Sequence, residues 1–217
     1  MTLRRFSLAP MLFMTALAAA DTVTYSATVP AQYTDFASVI QLLQFNPALG
    51  TLQQADLKIS ADLIANALIE NRSAATATFS MTLTESASVV PPFGSFLTAR
   101  ANSIPTTPQT AAPFDGVPYT VDPNGADTVH WSINATGVTN TRTYTAPADL
   151  AVFTGLLNLN YTVLGDSSVS LSGTTANFVA QSSSQAGATV SITYTYVPEP
   201  ASLALLFAGL AAMRRRS

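Results

Sequence analysis

The chain has 217 residues, no cysteine and only 10% charged side chains, well below the quarter typical of globular domains. Disulfides and thiolate sites are therefore excluded. Between residues 21 and 196, eleven acidic residues stand against Lys58, Arg72, Arg100 and Arg142, a net of −7 where the whole chain has −3. That balance excludes the basic footprint of a nucleic-acid binder, and it repels anionic polymers at low salt unless divalent cations bridge the two.

Residues 1–20 carry Arg4 and Arg5, an apolar stretch from Phe6 to Leu17, and then Ala18-Ala19-Ala20. A basic start, a short apolar core and a small-residue site make a secretory signal peptide. The secretion translocon would pass such a chain. Signal peptidase would then cut before Asp21, reading Ala18 and Ala20. Roughly 175 residues remain before a second distinctive segment at the end, enough for one core-bearing domain.

That body, 21–196, alternates with period two, the pattern of half-buried strands. Leu57, Ile59, Ala61 and Leu63 alternate within 57–68, which reads as strand although its alanines would tolerate a helix. The clearest run sets Ala77, Phe79, Met81 and Leu83 against Thr76, Thr78, Ser80, Thr82 and Thr84. Further runs are Val129, Trp131, Ile133, Ala135; Leu157, Leu159, Tyr161, Val163; a new start at Val169 and Leu171; and Val190, Ile192, Tyr194, Tyr196. Turn signals separate them at Asn46-Pro47, Asn71-Arg72-Ser73, Asp122-Pro123-Asn124-Gly125, Gly165-Asp166-Ser167 and Ser172-Gly173. The Pro- and Thr-rich stretch 91–118 predicts a long loop or insertion with weak edge strands. Residues 149–153 predict a short helical turn, with Asp149 as its cap. The expected fold is all-β, an antiparallel β-sandwich of about 8–10 strands.

Residues with chemical potential are few. His130 is the single histidine, and no Gly-x-Ser-x-Gly elbow accompanies it. Alternation turns it to solvent beside Ser132 and Asn134, so neither a catalytic triad nor a zinc site is expected. The segment 122–127 offers oxygen ligands around a glycine. It lacks the bidentate Glu of a regular calcium loop, so it reads as an Asn-Gly turn with a weak calcium site as the alternative. Glu70 and Glu85 flank a hairpin, with nothing to place them in one cleft as a glycosidase requires. Trp131 and the tyrosines at 119, 144, 161, 194 and 196 would stack on sugars only if several shared an exposed face; alternation assigns Trp131 to the core. No catalytic residue, cofactor or bound metal is expected.

The last residues, 197–217, read Val-Pro-Glu-Pro, an apolar run 201–213, and Arg214-Arg215-Arg216-Ser217. Thirteen residues make a helix of roughly 20 Å, short of the roughly 30 Å hydrocarbon core. Arginines can snorkel and the bilayer can thin. The run therefore reads as a short transmembrane helix, marginal as a permanent span, with its Arg-rich end in the cytoplasm and the body outside. Pro198 and Pro200 mark a break between domain and membrane segment.

Pro198-Glu199-Pro200, the apolar run and the Arg cluster, in that order at the chain's end, resemble the PEP-CTERM sorting signal of Gram-negative bacteria. The resemblance implies a precursor tethered in the inner membrane, processed by an exosortase, and displayed at the cell surface or in the extracellular matrix. Association with exopolysaccharide and biofilm is implied with it. The body resembles the choice-of-anchor E surface domains. It does so at Thr24-Tyr25, at Phe45-Asn46-Pro47-Ala48-Leu49-Gly50-Thr51-Leu52, at Asp149-Leu150-Ala151-Val152-Phe153-Thr154-Gly155 and at Tyr194-Thr195-Tyr196. That likeness implies surface display and no activity. The expectation is a non-catalytic surface or matrix protein. A carbohydrate-binding module for the exopolysaccharide is the second reading and a secreted hydrolase a distant third.

Overall fold

The structure, a computed structural model, describes residues 19–92, 97–103 and 108–199. Among them the strands are β1 (Asp21–Tyr33), β2 (Phe36–Leu43), β3 (Gly50–Asn71), β4 (Ala77–Val90), β5 (Leu97–Ser103), β6 (Gln109–Ala111), β7 (Thr128–Tyr144), β8 (Asn158–Gly173) and β9 (Phe178–Pro198). A 3₁₀ turn, Pro47–Leu49, and one helix, α1 (Pro147–Phe153), lie between them. The strands form two antiparallel sheets, as the alternation predicts. The first has the order β1-β9-β3-β7; the second has β2-β8-β4-β5, with β6 also on β4. Segment 57–68 lies inside the long β3, its odd positions Leu57, Ile59, Ala61 and Leu63 all fully buried. Strands β5 and β6 both pair with β4, the weak edge strands expected of 91–118.

Three local expectations are corrected. Gly165-Asp166-Ser167 is no turn, because β8 runs straight through it. A Cβ at Gly165 would lie 2.1 Å from the Phe36 ring, so this glycine admits a neighbour's side chain. Asp149 does not cap α1: the N-cap is Ala146, with no side-chain cap bond, and Asp149 sits in the first turn, where its charge suits the helix dipole. Leu157 is 73% exposed and precedes β8. Strand β7 also continues nine residues past Ala135. A bulge opposite Ala61–Leu63 with Gly137 at φ 63° inserts one residue, so Val138 and Tyr144 take over the inward face from the odd positions.

Among the described residues the interior holds two apolar clusters. One gathers Leu57, Ile59, Val89, Tyr161, Ile192 and Tyr194 among others; the second gathers Ile69, Phe79, Met81, Leu83, Trp131 and Ile133. Each fully buried Leu or Ile contributes about 1.5–3 kcal/mol. Between the two, on the same inward face of β4 as Leu83 and Ala87, lies Glu85, 1% exposed. Burial pushes its carboxyl up to about 7; a hydrogen bond with Ser184 opposes the shift and the Asp35 charge adds to it.

The folded chain therefore keeps a proton that the unfolded chain releases near 4.5. The stability this group contributes is full below pH 4.5 and is lost as pH rises through about 7. In buffer free of divalent cations the chain should lose on the order of 1–2 kcal/mol across that window relative to Glu85→Gln, allowing for screening. Chemical denaturation at several pH values measures it, and superimposable pH profiles for the two proteins would refute it.

Candidate functional site

The two ends of the body leave the sandwich side by side. Asp21, the first residue of β1, is in register with Tyr196 of β9. The Tyr196 hydroxyl donates to Asp21 Oδ2 at 3.3 Å, and burial, with the Asp21 charge beside it, raises the phenol above its ordinary value. Outward threonines lace the same pair of strands, Thr24 to Thr193 at 2.9 Å and Thr28 to Thr189 at 3.0 Å. Beyond Tyr196, β9 continues for two residues with only β3 beside it, Val197 against Thr51 and Pro198 against Gly50. A proline fits there because nothing on its free side needs an N–H. The first residue of the Pro-Glu-Pro motif is thus the last residue of a strand.

Gly50 makes that register possible. Its φ of +143° is a conformation that favours glycine. A Cβ there would lie 2.1 Å from the Val197 carbonyl oxygen and 2.7 Å from Pro198 Cα. Just upstream, Asn46 Oδ1 accepts from Ala48 N at 2.9 Å and caps the 3₁₀ turn that delivers Gly50 to the tail.

Around this exit the chain builds a collar. Phe45 N donates to Phe153 O at 2.8 Å and Gly155 N to Phe45 O at 2.9 Å, which locks the segment after β2 to the end of α1. Tyr194 donates its hydroxyl to Leu43 O at 3.0 Å. The rings of Phe45, Phe153 and Tyr25 all pack on Tyr194 with centroids about 6 Å away, and Phe45 also meets Tyr196 at 5.1 Å. Edge-to-face pairs of this kind add about 0.5–1.5 kcal/mol each beyond their buried area. A cleft of about 590 Å³ opens beside the collar, lined by Phe45, Leu52, Leu150, Ala151, Thr154 and Glu199 among others. Four sequence stretches far apart in the chain, those at 24–25, 45–52, 149–155 and 194–196, therefore meet where the tail leaves.

The other candidates are scattered. His130 is exposed, and its Nε2 donates to Pro123 O at 2.8 Å. It lines a shallow polar groove of about 380 Å³ on the outer face of the first sheet with Asn66, Ser132, Gln181 and Ser183. Trp131, Tyr144, Tyr161, Tyr194 and Tyr196 are buried. Segment 122–127 forms turns closed by Gly125 N on Asp122 O and Thr128 N on Gly125 O. Asp127 there is buried and accepts from Asp115 N at 3.3 Å. No group of three or more histidine, aspartate or glutamate side chains placed to hold a metal occurs among the described residues. Glu70 is fully buried, ion-paired to Arg72 Nε at 2.5 Å and accepting Tyr119 N at 2.7 Å. Its partners are not those of Glu85. Sequence reasoning missed Glu85 as a core residue, although extending the run Phe79, Met81, Leu83 by one step places it inward.

Ala20 and Asp21 stand at the entry to β1, and Pro198 and Glu199 at the exit of β9. Ala18, Pro200, the apolar run and Arg214, Arg215 and Arg216 lie outside the described residues. Among the described residues no helix is long and apolar enough to cross a membrane.

Comparison with known families matches residues 197–217 to the PEP-CTERM protein-sorting motif. No curated protein matches the chain. Among solved structures, the infectious bursal disease virus VP2 subviral particle is similar over 92% of this chain and 49% of that one, at 8% identity and a TM-score of 0.20. The Gx strain of the same virus follows with 91% and 46%, 10% identity and a TM-score of 0.15. The chain spans about half the length of these viral chains, and likeness at such TM-scores bears on neither fold nor function.

Gly50→Ala should force Val197 and Pro198 out of the ladder and cost about 1–3 kcal/mol. Thermal denaturation, with hydrogen exchange at the Val197 amide, reads both effects. An unaltered melt with full protection at Val197 would mean that Gly50 does not hold the tail.

Proposed function

We propose that this protein is an exported, non-catalytic surface or matrix protein whose β-sandwich is the cargo of its own C-terminal sorting signal. The observation that carries the reading is the continuity of β9 with the motif matched at 197–217, Pro198 being both the last residue of the strand and the first of Pro-Glu-Pro. An exosortase is the processing partner such a motif implies. The body's likeness to the choice-of-anchor E domains is supported by the convergence of its four characteristic stretches on one collar. Display in an exopolysaccharide-rich matrix is the destination we infer. Trp131 and four tyrosines packed inside the sandwich favour a structural role over sugar stacking.

Expression with and without an exosortase tests the sorting. With the enzyme, the product should be shorter and move from the inner membrane to the surface or medium. An unchanged full-length product held in the inner membrane would overturn the reading.

A carbohydrate-binding role has one observation in its favour, the polar groove of Asn66, His130, Ser132, Gln181 and Ser183. Calorimetry against purified exopolysaccharide should show no heat if the body is structural. Saturable heat abolished by Asn66→Ala would establish the binding module instead.

A further inference from the structure

The corner between β1 and β2 gathers oxygen atoms that neither the core nor the tail explains. There, at Thr34 and Asp35, the chain passes from the edge of one sheet to the edge of the other. Ser184 of β9 is in register with the fully buried Ala65, and Ser167 of β8 with Glu85, so both serines share the inward faces of their partners. Thr34 Oγ1 donates to Ser167 Oγ at 3.0 Å and makes a close hydrogen bond with Ser184 Oγ. Thr34 N donates to Ser184 O at 3.2 Å, and Ser167 N to Asp35 Oδ1 at 3.1 Å. Glu85 joins through Ser184 and senses the Asp35 charge. Five residues from four parts of the chain thus meet as two carboxylates and three hydroxyls.

Glu85 is 1% exposed, and its Oε2 has no hydrogen-bond partner. A buried carboxylate oxygen left without a partner is costly, and most such atoms in folded proteins have one. Among the described residues no basic side chain forms an ion pair with Glu85 or Asp35; the ion pair found joins Arg72 and Glu70. The donors are all hard oxygens. Zinc prefers nitrogen and sulfur, and magnesium demands near-ideal octahedral geometry and keeps its waters, whereas calcium accepts six to eight oxygens in irregular arrangements. Asp35 is exposed at the corner and gives a cation a way in.

We propose that this corner is a calcium site, in which the Glu85 and Asp35 carboxylates bind the ion and the hydroxyls of Thr34, Ser167 and Ser184 help complete its shell. With two carboxylates the affinity belongs to the weak class of extracellular modules, about 10⁻⁴–10⁻³ M. The bound ion would tie β1 and β2 to β4, β8 and β9, closing the side of the sandwich where both sheets end in a free edge strand. The site is independent of whether the tail is processed.

The test uses the purified full-length chain in mild detergent, melted in chelator and in about 10 mM CaCl₂. Calcium should raise Tm by about 3–6 °C, and MgCl₂ at the same concentration should raise it by less than half as much. Asp35→Asn and Glu85→Gln should each remove most of the calcium shift, while Asp122→Asn, in the Asn-Gly turn, should keep it. Should Glu85→Gln fail to fold, Asp35→Asn decides, since it alters an exposed side chain and retains the oxygen that accepts Ser167 N. The proposal falls if calcium leaves the wild-type melt unmoved, if magnesium matches calcium, or if Asp122→Asn loses the shift that Asp35→Asn retains.

Discussion

An antiparallel ladder, broken in register once between Leu52 and Gln54, runs from Gly50–Pro198 at one end of the molecule to Asn71–Phe178 at the other, and makes β3 and β9 one ribbon. Strands β1 and β7 flank it, and its inward residues, odd on β3 from Ala55 and even on β9 from Ala186, supply much of both apolar clusters. A slip of one residue would turn every one of these side chains to solvent. The register that fills the core therefore also fixes where Pro198 emerges. The position of the tail is a consequence of packing, with Gly50 as the point where the chain's own backbone leaves no room for a side chain.

Much of this was legible in the sequence because a strand half-buried in a sandwich advertises itself by alternation. Phe79-Met81-Leu83 and Val190-Ile192-Tyr194 read correctly, and the ambiguous 57–68 resolved as strand because its odd positions all meet the opposite sheet. Where reading failed, one residue type had two uses. Glycine signals a turn, yet Gly165 is there to admit the Phe36 ring. Gly137 sits in a bulge that changes parity, so the odd-position alternation of β7 stops at Ala135. A lone acidic residue at an inward step was passed over, because alternation is normally read for apolar residues. The collar was visible only as four disconnected stretches, since nothing local in 45–52 or 149–155 states that they touch.

The collar and the Glu85 corner differ in how each meets the cost of order. Around the exit, aromatic rings and backbone hydrogen bonds satisfy one another, so this end needs no outside partner to be rigid. At the corner, a carboxyl set between two apolar clusters can be neutral or charged. The charged form carries a desolvation penalty of several kcal/mol unless it is compensated. The ring cluster around Tyr194 thus rests on uncharged contacts, while the β1–β2 edge adjoins a buried carboxyl whose charge changes near neutral pH.

That division bears on how a processing enzyme would meet this protein. Only Glu199 and Pro200 separate the end of β9 from the apolar run beginning at Ala201, a reach of at most about 10 Å even when fully extended. In the tethered precursor proposed above, so short a connection holds the base of the sandwich, with its cleft at Phe45, Leu150 and Glu199, close against the membrane surface. The start of β1 lies at that same base, so the chain would leave the membrane and return to it on one side of the domain. An enzyme reading Pro198-Glu199-Pro200 would then encounter a motif whose first residue is held in a sheet, presented by a folded collar rather than by a free peptide.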